Sequence, residues 1–160
     1  MKTAVVFYSQ SGNTEYAAER IAEKLGADLV RVEPVKPYPT TGFRKFFVGG
    51  KSAVMKEKPQ LKPYEFRAEE YERVIVGMPV WASGVTPPIR TFVAENRGAL
   101  AGKRIAAFAC CSGGGADKAL ESLRAALGIE AFEAVTVLID PMTRPSDDNE
   151  EKIASFCAVL

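Results

Sequence analysis

The chain alternates short apolar runs with segments whose apolar residues recur at helical spacing. Residues 4–8 form a continuous apolar run, which is typical of a parallel strand buried on both faces. From 13 to 25 the small and apolar residues repeat every three to four positions, and Gly26 follows where a helix can end in a left-handed residue. The start of the chain therefore predicts a strand, a tight turn and a helix.

The same alternation continues to the end of the chain. Four more strands are predicted, at 29–32, 74–76, 105–110 and 135–139. Further helical patterns begin at Pro87, after the glycines at 113–115, and at the capping residue Ser146. Because parallel neighbours need crossover helices, this order predicts an α/β fold with one open, mostly parallel sheet. A length of 160 residues suits a single domain, 1–160.

Residues 34–67 form an insert that is much longer than the connection between two strands requires. The insert opens with a proline-rich turn, and a helix is predicted at about 43–55. It carries eight basic residues and two acidic ones, a net charge of +6, whereas the rest of the chain has 13 basic and 18 acidic residues, a net charge of −5. Long insertions in compact domains are often functional, although a solvated basic helix face is the simpler interpretation of the charge.

The composition excludes several classes of function. The chain has no histidine, so Ser-His-Asp and Cys-His nucleophile pairs and His-ligated zinc sites are ruled out. A formal net charge of +1 gives no whole-protein footprint for nucleic acid or an anionic membrane. No apolar run approaches the roughly 18 residues of a membrane span, and the first apolar run is too short for a signal peptide, so we expect a cytoplasmic protein.

Ligands of open α/β sheets bind beyond the carboxyl ends of the strands, which directs attention to three loops. The loop after the first strand consists of small hydroxyl and amide residues that lead directly into a helix. Its hydroxyls and the free backbone N–H groups of the helix start predict a cradle for a phosphate, although helix capping also explains such residues. The candidate residues are Ser9, Gln10, Ser11, Gly12, Asn13 and Thr14.

The loop after the third strand holds the only tryptophan of the chain, Trp81, among small residues. A flat aromatic ring at a strand end can stack on a planar ligand while neighbouring backbone amides contact the polar edge of that ligand. A tryptophan packed into the core is the alternative. The candidate residues of this loop are Pro79, Val80, Trp81, Ala82, Ser83 and Gly84.

The loop after the fourth strand combines two adjacent thiols with a glycine cluster. Glycines allow a backbone to approach a ligand closely, although a flexible connection explains them equally well. The candidates here are Cys111, Ser112, Gly113 and Gly114. We interpret Cys110 and Cys111 as reduced, buried structural residues, because adjacent cysteines form only a strained disulfide. The Gly-Lys-Ser at 50–52 is not a P-loop, since Lys45 stands where the first glycine is required and no strand precedes it.

Taken together, the three loops resemble those of the flavodoxin family. Residues 8–14 resemble its FMN phosphate loop, 77–81 resemble its first isoalloxazine loop, and 111–114 stand where the second belongs. The resemblance spans nearly the whole chain. The chain also resembles a subgroup of the family that has an inserted helical segment before the third strand, which would explain the insert at 34–67. The resemblance implies a flavodoxin-like three-layer α/β/α sandwich with a five-stranded parallel sheet of order 2-1-3-4-5, for which flavodoxin is the reference case.

The resemblance also implies roles for the candidate residues. The first loop would hold the FMN phosphate, the second would border the flavin with Trp81 stacked on it, and amides at 112–114 would face the pyrimidine side. A peptide group within 81–84 would contact flavin N5. The third loop lacks an aromatic for the other flavin face, which leaves that face to a substrate, a partner, or Phe46 or Phe47 of the insert. Electron-carrier flavodoxins are also typically acidic, and this chain is not.

Three functions follow as hypotheses. In the first, the protein transfers electrons through non-covalently bound FMN to a redox partner protein. In the second, it is an FMN-dependent oxidoreductase that uses NAD(P)H to reduce a quinone or a similar small-molecule acceptor. In the third, it is a non-redox module that binds a phosphorylated ligand. Because the cofactor would carry the chemistry, we predict no catalytic side chain. We also predict no metal site, and neither nucleic acid nor a membrane as a partner.

Overall fold

The computed structural model describes the backbone of residues 2–40 and 42–160, and the side chains of these residues outside 42–47. Strands and helices alternate as the sequence predicts. The strands are β1 (Thr3–Phe7), β2 (Asp28–Arg31), β3 (Arg73–Pro79), β4 (Arg104–Cys111) and β5 (Val135–Ile139). The helices are α1 (Asn13–Leu25), α2 (Gly42–Val54), α3 (Pro87–Leu100), α4 (Ala116–Leu127) and α5 (Asp147–Ala158), and a 3-10 turn at Ala68–Glu70 precedes β3.

The five strands form one parallel sheet of order β2-β1-β3-β4-β5. Val5 of β1 lies opposite Leu29 on one side and Ile75 on the other. The three inner strands are almost wholly buried, which explains their continuous apolar runs, whereas β2 and β5 are the partly exposed edges. The predicted fold class and strand order are thereby confirmed.

Helices cover both faces of the sheet. Residues of α1 and α5, such as Ile21 and Ile153, share a core cluster with one face, whereas residues of α3 and α4, such as Phe92 and Leu123, share a cluster with the other. This gives the three layers of an α/β/α sandwich. Within the described part of the chain, no helix has the length and apolar character that crossing a bilayer requires.

Most helix ends follow local chemistry that the sequence indicates. Gly26 and Gly128 end α1 and α4 with φ of 61° and 70°, the left-handed conformation that favours glycine. Ser146 caps α5, since its hydroxyl accepts the N–H of Asn149 at 3.2 Å. The predicted strand limits are less accurate: the second strand begins one residue earlier than predicted, and the third extends to Pro79 because Gly77, Met78 and Pro79 also pair with β4.

The insert leaves the end of β2 and returns to the same place. Pro34 forms an antiparallel bridge with Leu61, and the N–H of Val35 donates to the carbonyl of Gln60 at 2.8 Å. The insert is therefore closed at its base, and α2 lies within one residue of the predicted helix at 43–55. A Cβ built on Gly49 of α2 would lie 3.2 Å from the Trp81 ring, so α2 packs directly on the loop after β3.

Candidate functional site

A cleft of about 200 Å³ lies at the carboxyl ends of the central strands. All three loops that the sequence singles out reach it, together with one residue of α2 and one residue after β5. Its lining consists of Gln10, Ser11, Asn13, Gly50, Pro79, Val80, Trp81, Ala82, Cys110, Cys111, Ser112 and Asp140. The described part of the chain has no cluster of three or more potential metal ligands.

The first loop turns sharply into α1. Gly12 stands at the N-cap with φ of 99°, and no side chain caps the helix. The hydroxyl of Ser9 accepts the N–H of Gly12 at 3.2 Å. Ser9 and Thr14 are buried outside the cleft lining, whereas Ser11 is exposed and lines the cleft. Hydroxyl groups and the positive end of a helix dipole are therefore gathered at one corner of the cleft.

The Asn13 side chain also forms hydrogen bonds to the loop after β5, which the sequence does not reveal. Its side-chain carbonyl accepts the backbone N–H groups of Met142 and Thr143 at 2.9 and 3.0 Å. A Cβ built on Gly12 would lie 2.7 Å from the terminal methyl of Met142, so the loop after β5 also packs on the first loop. The Asn13 side chain thus ties the two loops together, and its role as a phosphate ligand stays a prediction.

The second loop makes a tight turn from Trp81 to Gly84. The N–H of Gly84 donates to the carbonyl of Trp81 at 2.9 Å, and both residues between them are left-handed, Ala82 with φ of 49° and Ser83 with φ of 56°. Such a turn normally uses glycine or asparagine, and a left-handed conformation costs other residues about 1–2 kcal/mol each. Strain of this kind is concentrated at functional sites.

The strained turn is held by its neighbour across the cleft edge. Gly115 begins α4 with φ of 91°, and a Cβ at that position would lie 2.5 Å from the hydroxyl oxygen of Ser83. The absence of a side chain at Gly115 therefore lets the loops after β3 and β4 meet.

Trp81 lines the cleft and also packs into an aromatic group. Its ring meets Tyr8 and Tyr38 edge-on, with ring centroids 5.7 and 5.1 Å apart. Edge-to-face contacts of this kind fix the orientation of a ring. The two interpretations of Trp81, as a wall of the site and as a packed core residue, are thus not exclusive.

The third loop separates into an inner and an outer part. Cys110 and Cys111 line the base of the cleft but belong to core clusters on opposite faces of the sheet. Burial raises the pKa of the Cys110 thiol to about 12, so it stays protonated at neutral pH. Gly113 and Gly114 are exposed and lie outside the cleft lining.

Three lining residues were not predicted as site residues from the sequence: Gly50, Cys110 and Asp140. Asp140, with φ of 42°, accepts the hydroxyl of Ser112 at 3.0 Å and the Arg144 guanidinium at 3.0 and 2.7 Å, while Arg144 also donates to the Ser112 carbonyl at 3.0 Å. The loop after β5 therefore fixes the third loop. Gly50 comes from α2. The adjacent glycines inside a helical pattern could have indicated Gly50 as a residue of the site. Asp140 could have been predicted because the loops that follow parallel strands meet at one edge of the sheet.

The binding roles of the remaining predicted residues stay predictions. Ser83 and Gly84 form the turn described above and lie outside the cleft lining. Phe46 and Phe47, considered for the second face of the ligand, lie outside the described side chains.

Comparison with known proteins agrees with this architecture. A family model described as flavodoxin matches residues 2–148. The chain is similar to a flavoprotein from Lactobacillus acidophilus NCFM, solved in complex with FMN, with 17% identity, coverage of 97% of each chain and a TM-score of 0.74. It is also similar to Megasphaera elsdenii flavodoxin, with 13% identity, coverage of 99% of each chain and a TM-score of 0.62.

No curated protein matches the chain. The structural likenesses, at these identities, establish the fold. Since the family model covers most of the sequence, the chain belongs to the flavodoxin family of FMN-binding flavoproteins.

Proposed function

We propose that this protein binds FMN non-covalently in the cleft and carries electrons between partner proteins. The observation that carries the proposal is the joining of a hydroxyl-lined, uncapped helix start to an apolar wall with an aromatic ring within one cleft. When bound there, FMN supplies one- and two-electron redox chemistry. The protein binds, orients and shields it.

The donor set of the first loop fits a phosphate. Ser11 and the first turn of α1 offer a hydroxyl and backbone N–H groups, and the nearby Ser9 and Thr14 of the same loop are buried. Among the side chains that the structure describes, which exclude 42–47, no lysine or arginine lines the cleft. Affinity for a dianion would therefore come from N–H groups, hydroxyls and the helix dipole rather than from cationic side chains.

The opposite end of the cleft fits a flat ring. Pro79, Val80 and Trp81 form an apolar wall, and Ser112 supplies a polar edge that Asp140 holds in place. The strained turn at 81–84 places peptide groups beside that wall, where one of them would contact flavin N5. In our proposal, the backbone of this turn tunes the potential of the cofactor, and no side chain acts as an acid or a base.

A reductive titration of the FMN-loaded protein tests this function. A carrier should take up its two electrons in separate steps at well-separated potentials, and it should oxidise NADH or NADPH no faster in the presence of a quinone than in its absence. Saturable, NAD(P)H-dependent quinone reduction would show the oxidoreductase instead. A purified protein that never acquires the visible absorbance of flavin, even with added FMN, would favour the non-redox module.

A further inference from the structure

We propose that an acidic electron-transfer protein docks on an exposed basic surface at the end of α2. This surface, called here the α2 end surface, consists of Lys51, Val54, Met55, Lys56 and Lys58. The inference rests on the proposed carrier function, because a carrier must bring a partner within electron-transfer distance of its cofactor. It adds the place of docking and the charge of the partner.

The α2 end surface adjoins the cleft. Gly50, the residue before Lys51, lines the cleft itself, and Gly49 packs against the Trp81 ring. The carbonyl of Ala53 lies 3.9 Å from the position of a Cβ built on Gly84, so the last turn of α2 rests on the strained turn at 81–84. A protein bound here would therefore sit at the rim of the proposed cofactor site.

The α2 end surface places two apolar side chains among cationic ones. Val54 and Met55 are 66% and 65% exposed, and three exposed lysines flank them. Apolar contacts surrounded by charged groups are the usual arrangement of a specific protein contact. The only acidic residue between positions 48 and 58 is Glu57, and its carboxylate accepts the hydroxyl of Ser52. The hydroxyl does not neutralise this carboxylate, so the three lysines and Glu57 give residues 48–58 a net charge of +2.

The backbone at Lys56 gives an independent reason to assign a function to this surface. The N–H of Lys56 donates to the carbonyl of Ala53, and the N–H of Glu57 donates to that of Ser52, both at 3.1 Å. These two bonds form a Schellman motif in which Lys56, with φ of 52°, occupies the left-handed position that glycine normally takes. A non-glycine residue at this position departs from the local rule for helix ends, and such departures are expected at functional sites.

Charge complementarity identifies the partner as acidic. The insert carries a net charge of +6, and the remainder of the chain carries −5. A partner with a negative face would be attracted to the rim on the insert side and repelled by the rest of the molecule, which orients the encounter. This polarity is the opposite of what a basic partner would require.

A pair of charge reversals provides the test. K51E/K58E reverses two positive charges of the α2 end surface. The control K24E/R97E makes the same change in net charge at exposed positions in the last turns of α1 and α3, at the ends of these helices that are remote from the cleft. Reduced, FMN-loaded protein is mixed with cytochrome b5 as an acidic probe and with cytochrome c as a basic probe. Stopped-flow absorbance gives the rates, and calorimetry at low salt gives the affinity for cytochrome b5.

We expect K51E/K58E to slow transfer to cytochrome b5 by about tenfold at low salt and to weaken binding by a similar factor, while K24E/R97E changes either by less than about twofold. Added salt should remove most of the difference. Transfer to cytochrome c should not slow. V54S/M55S should weaken binding of cytochrome b5 even at high salt. V159S, a substitution at another exposed apolar position, should leave this binding unchanged. Equal effects of the two reversals would overturn the docking site.

Other occupants would be recognised by the same variants. Dimerisation of the wild type in sedimentation velocity that K51E/K58E abolishes would assign the surface to a second copy of the chain, and cosedimentation with phosphatidylserine vesicles that K51E/K58E abolishes would assign it to a membrane; either overturns the proposal. If the FMN-loaded protein reduces neither cytochrome at any salt concentration, the carrier function itself fails. If it reduces both and K51E/K58E changes nothing, only the docking site fails.

Discussion

The described part of the chain has four non-glycine residues with positive φ, and two of them, Ala82 and Asp140, line the cleft. The four are Lys56, Ala82, Ser83 and Asp140. Each of them adopts a conformation that costs an L-residue about 1–2 kcal/mol. Elsewhere, positive φ values belong to glycines such as Gly26 and Gly128, where helices end. At the scale of single residues, local strain is therefore found in the lining of the proposed site.

Glycine 77 serves a different purpose, since it makes room within the sheet. Gly77 of β3 lies opposite Phe108 of β4, and a Cβ at this position would lie 2.1 Å from the Phe108 ring. We expect Gly77→Ala to lower the free energy of unfolding by about 1–3 kcal/mol, because the buried ring has no space to move into. Urea unfolding measures this change.

Gly98→Ala is the matched control for Gly77→Ala. Gly98 is exposed on α3, and a Cβ there meets nothing within 4 Å. Alanine should stabilise the helix by up to about 1 kcal/mol. If both substitutions shift the urea midpoint in the same direction, the close approach of Phe108 to β3 is not the reason for glycine at position 77.

At the scale of helices, strands and loops, the sequence predicts what depends on local chemistry. The apolar runs locate the five strands, and Gly26, Gly128 and Ser146 locate the helix ends. The contribution of the loop after β5 could not be predicted in this way. The bonds from Asn13 to Met142 and Thr143 join residues about 130 positions apart, and no local pattern encodes them.

The end of α2 gives a prediction at the same scale. We expect Lys56→Gly to raise the free energy of unfolding by about 1 kcal/mol, because glycine adopts the left-handed conformation at this position without a steric penalty. Thermal unfolding detects the change. Lys58→Gly is the control, because the backbone at Lys58 is not left-handed and glycine there only adds freedom to the unfolded chain. An equal rise in stability for both variants would contradict the strain at Lys56.

At the scale of the whole molecule, the proposed binding cleft and an ion-pair group lie at opposite ends of the strands. The cleft is at the carboxyl ends of the strands, whereas Arg73, Arg104 and Glu133 form an ion-pair group at the amino ends of β3 and β4. The guanidinium of Arg73 donates two hydrogen bonds to Glu133, at 2.7 and 2.8 Å, and only 6% of its side chain is exposed. These hydrogen bonds and the nearby positive charges lower the pKa of the Glu133 carboxyl.

The lowered pKa gives the direction of a pH effect. The ion pair contributes its full stability above the pKa of an unfolded glutamate, about 4.3, and loses it as the pH falls through the lower pKa of the folded state. Glu133→Gln should therefore cost about 3–5 kcal/mol at pH 7, because Arg73 stays buried without a counter-charge. The cost should fall once the pH drops below about 4.3, by up to about 1.4 kcal/mol for each pH unit. Urea unfolding from pH 7 to pH 3 measures it, and a cost independent of pH would contradict this account.

The near-neutral net charge of +1 conceals a basic insert, whose helix α2 lies beside the cleft, and an acidic α/β body. The sequence alone reveals this asymmetry, but not where it lies, because only the fold places α2 on the loop that contains Trp81. The resulting arrangement joins three parts along one rim: the hydroxyl-lined start of α1, the strained turn at 81–84, and the α2 end surface.

The central claim, that FMN occupies the cleft with its phosphate at the start of α1, can be tested by the fluorescence of Trp81. This residue is the only tryptophan in the chain, and it lines the cleft. Titration of the apoprotein with FMN should quench its emission and saturate at one equivalent. Riboflavin, which lacks the phosphate, should bind at least about tenfold more weakly, and Ser11→Ala should weaken the binding of FMN but not of riboflavin. Equal affinity for FMN and riboflavin, or no quenching by either, would contradict the account.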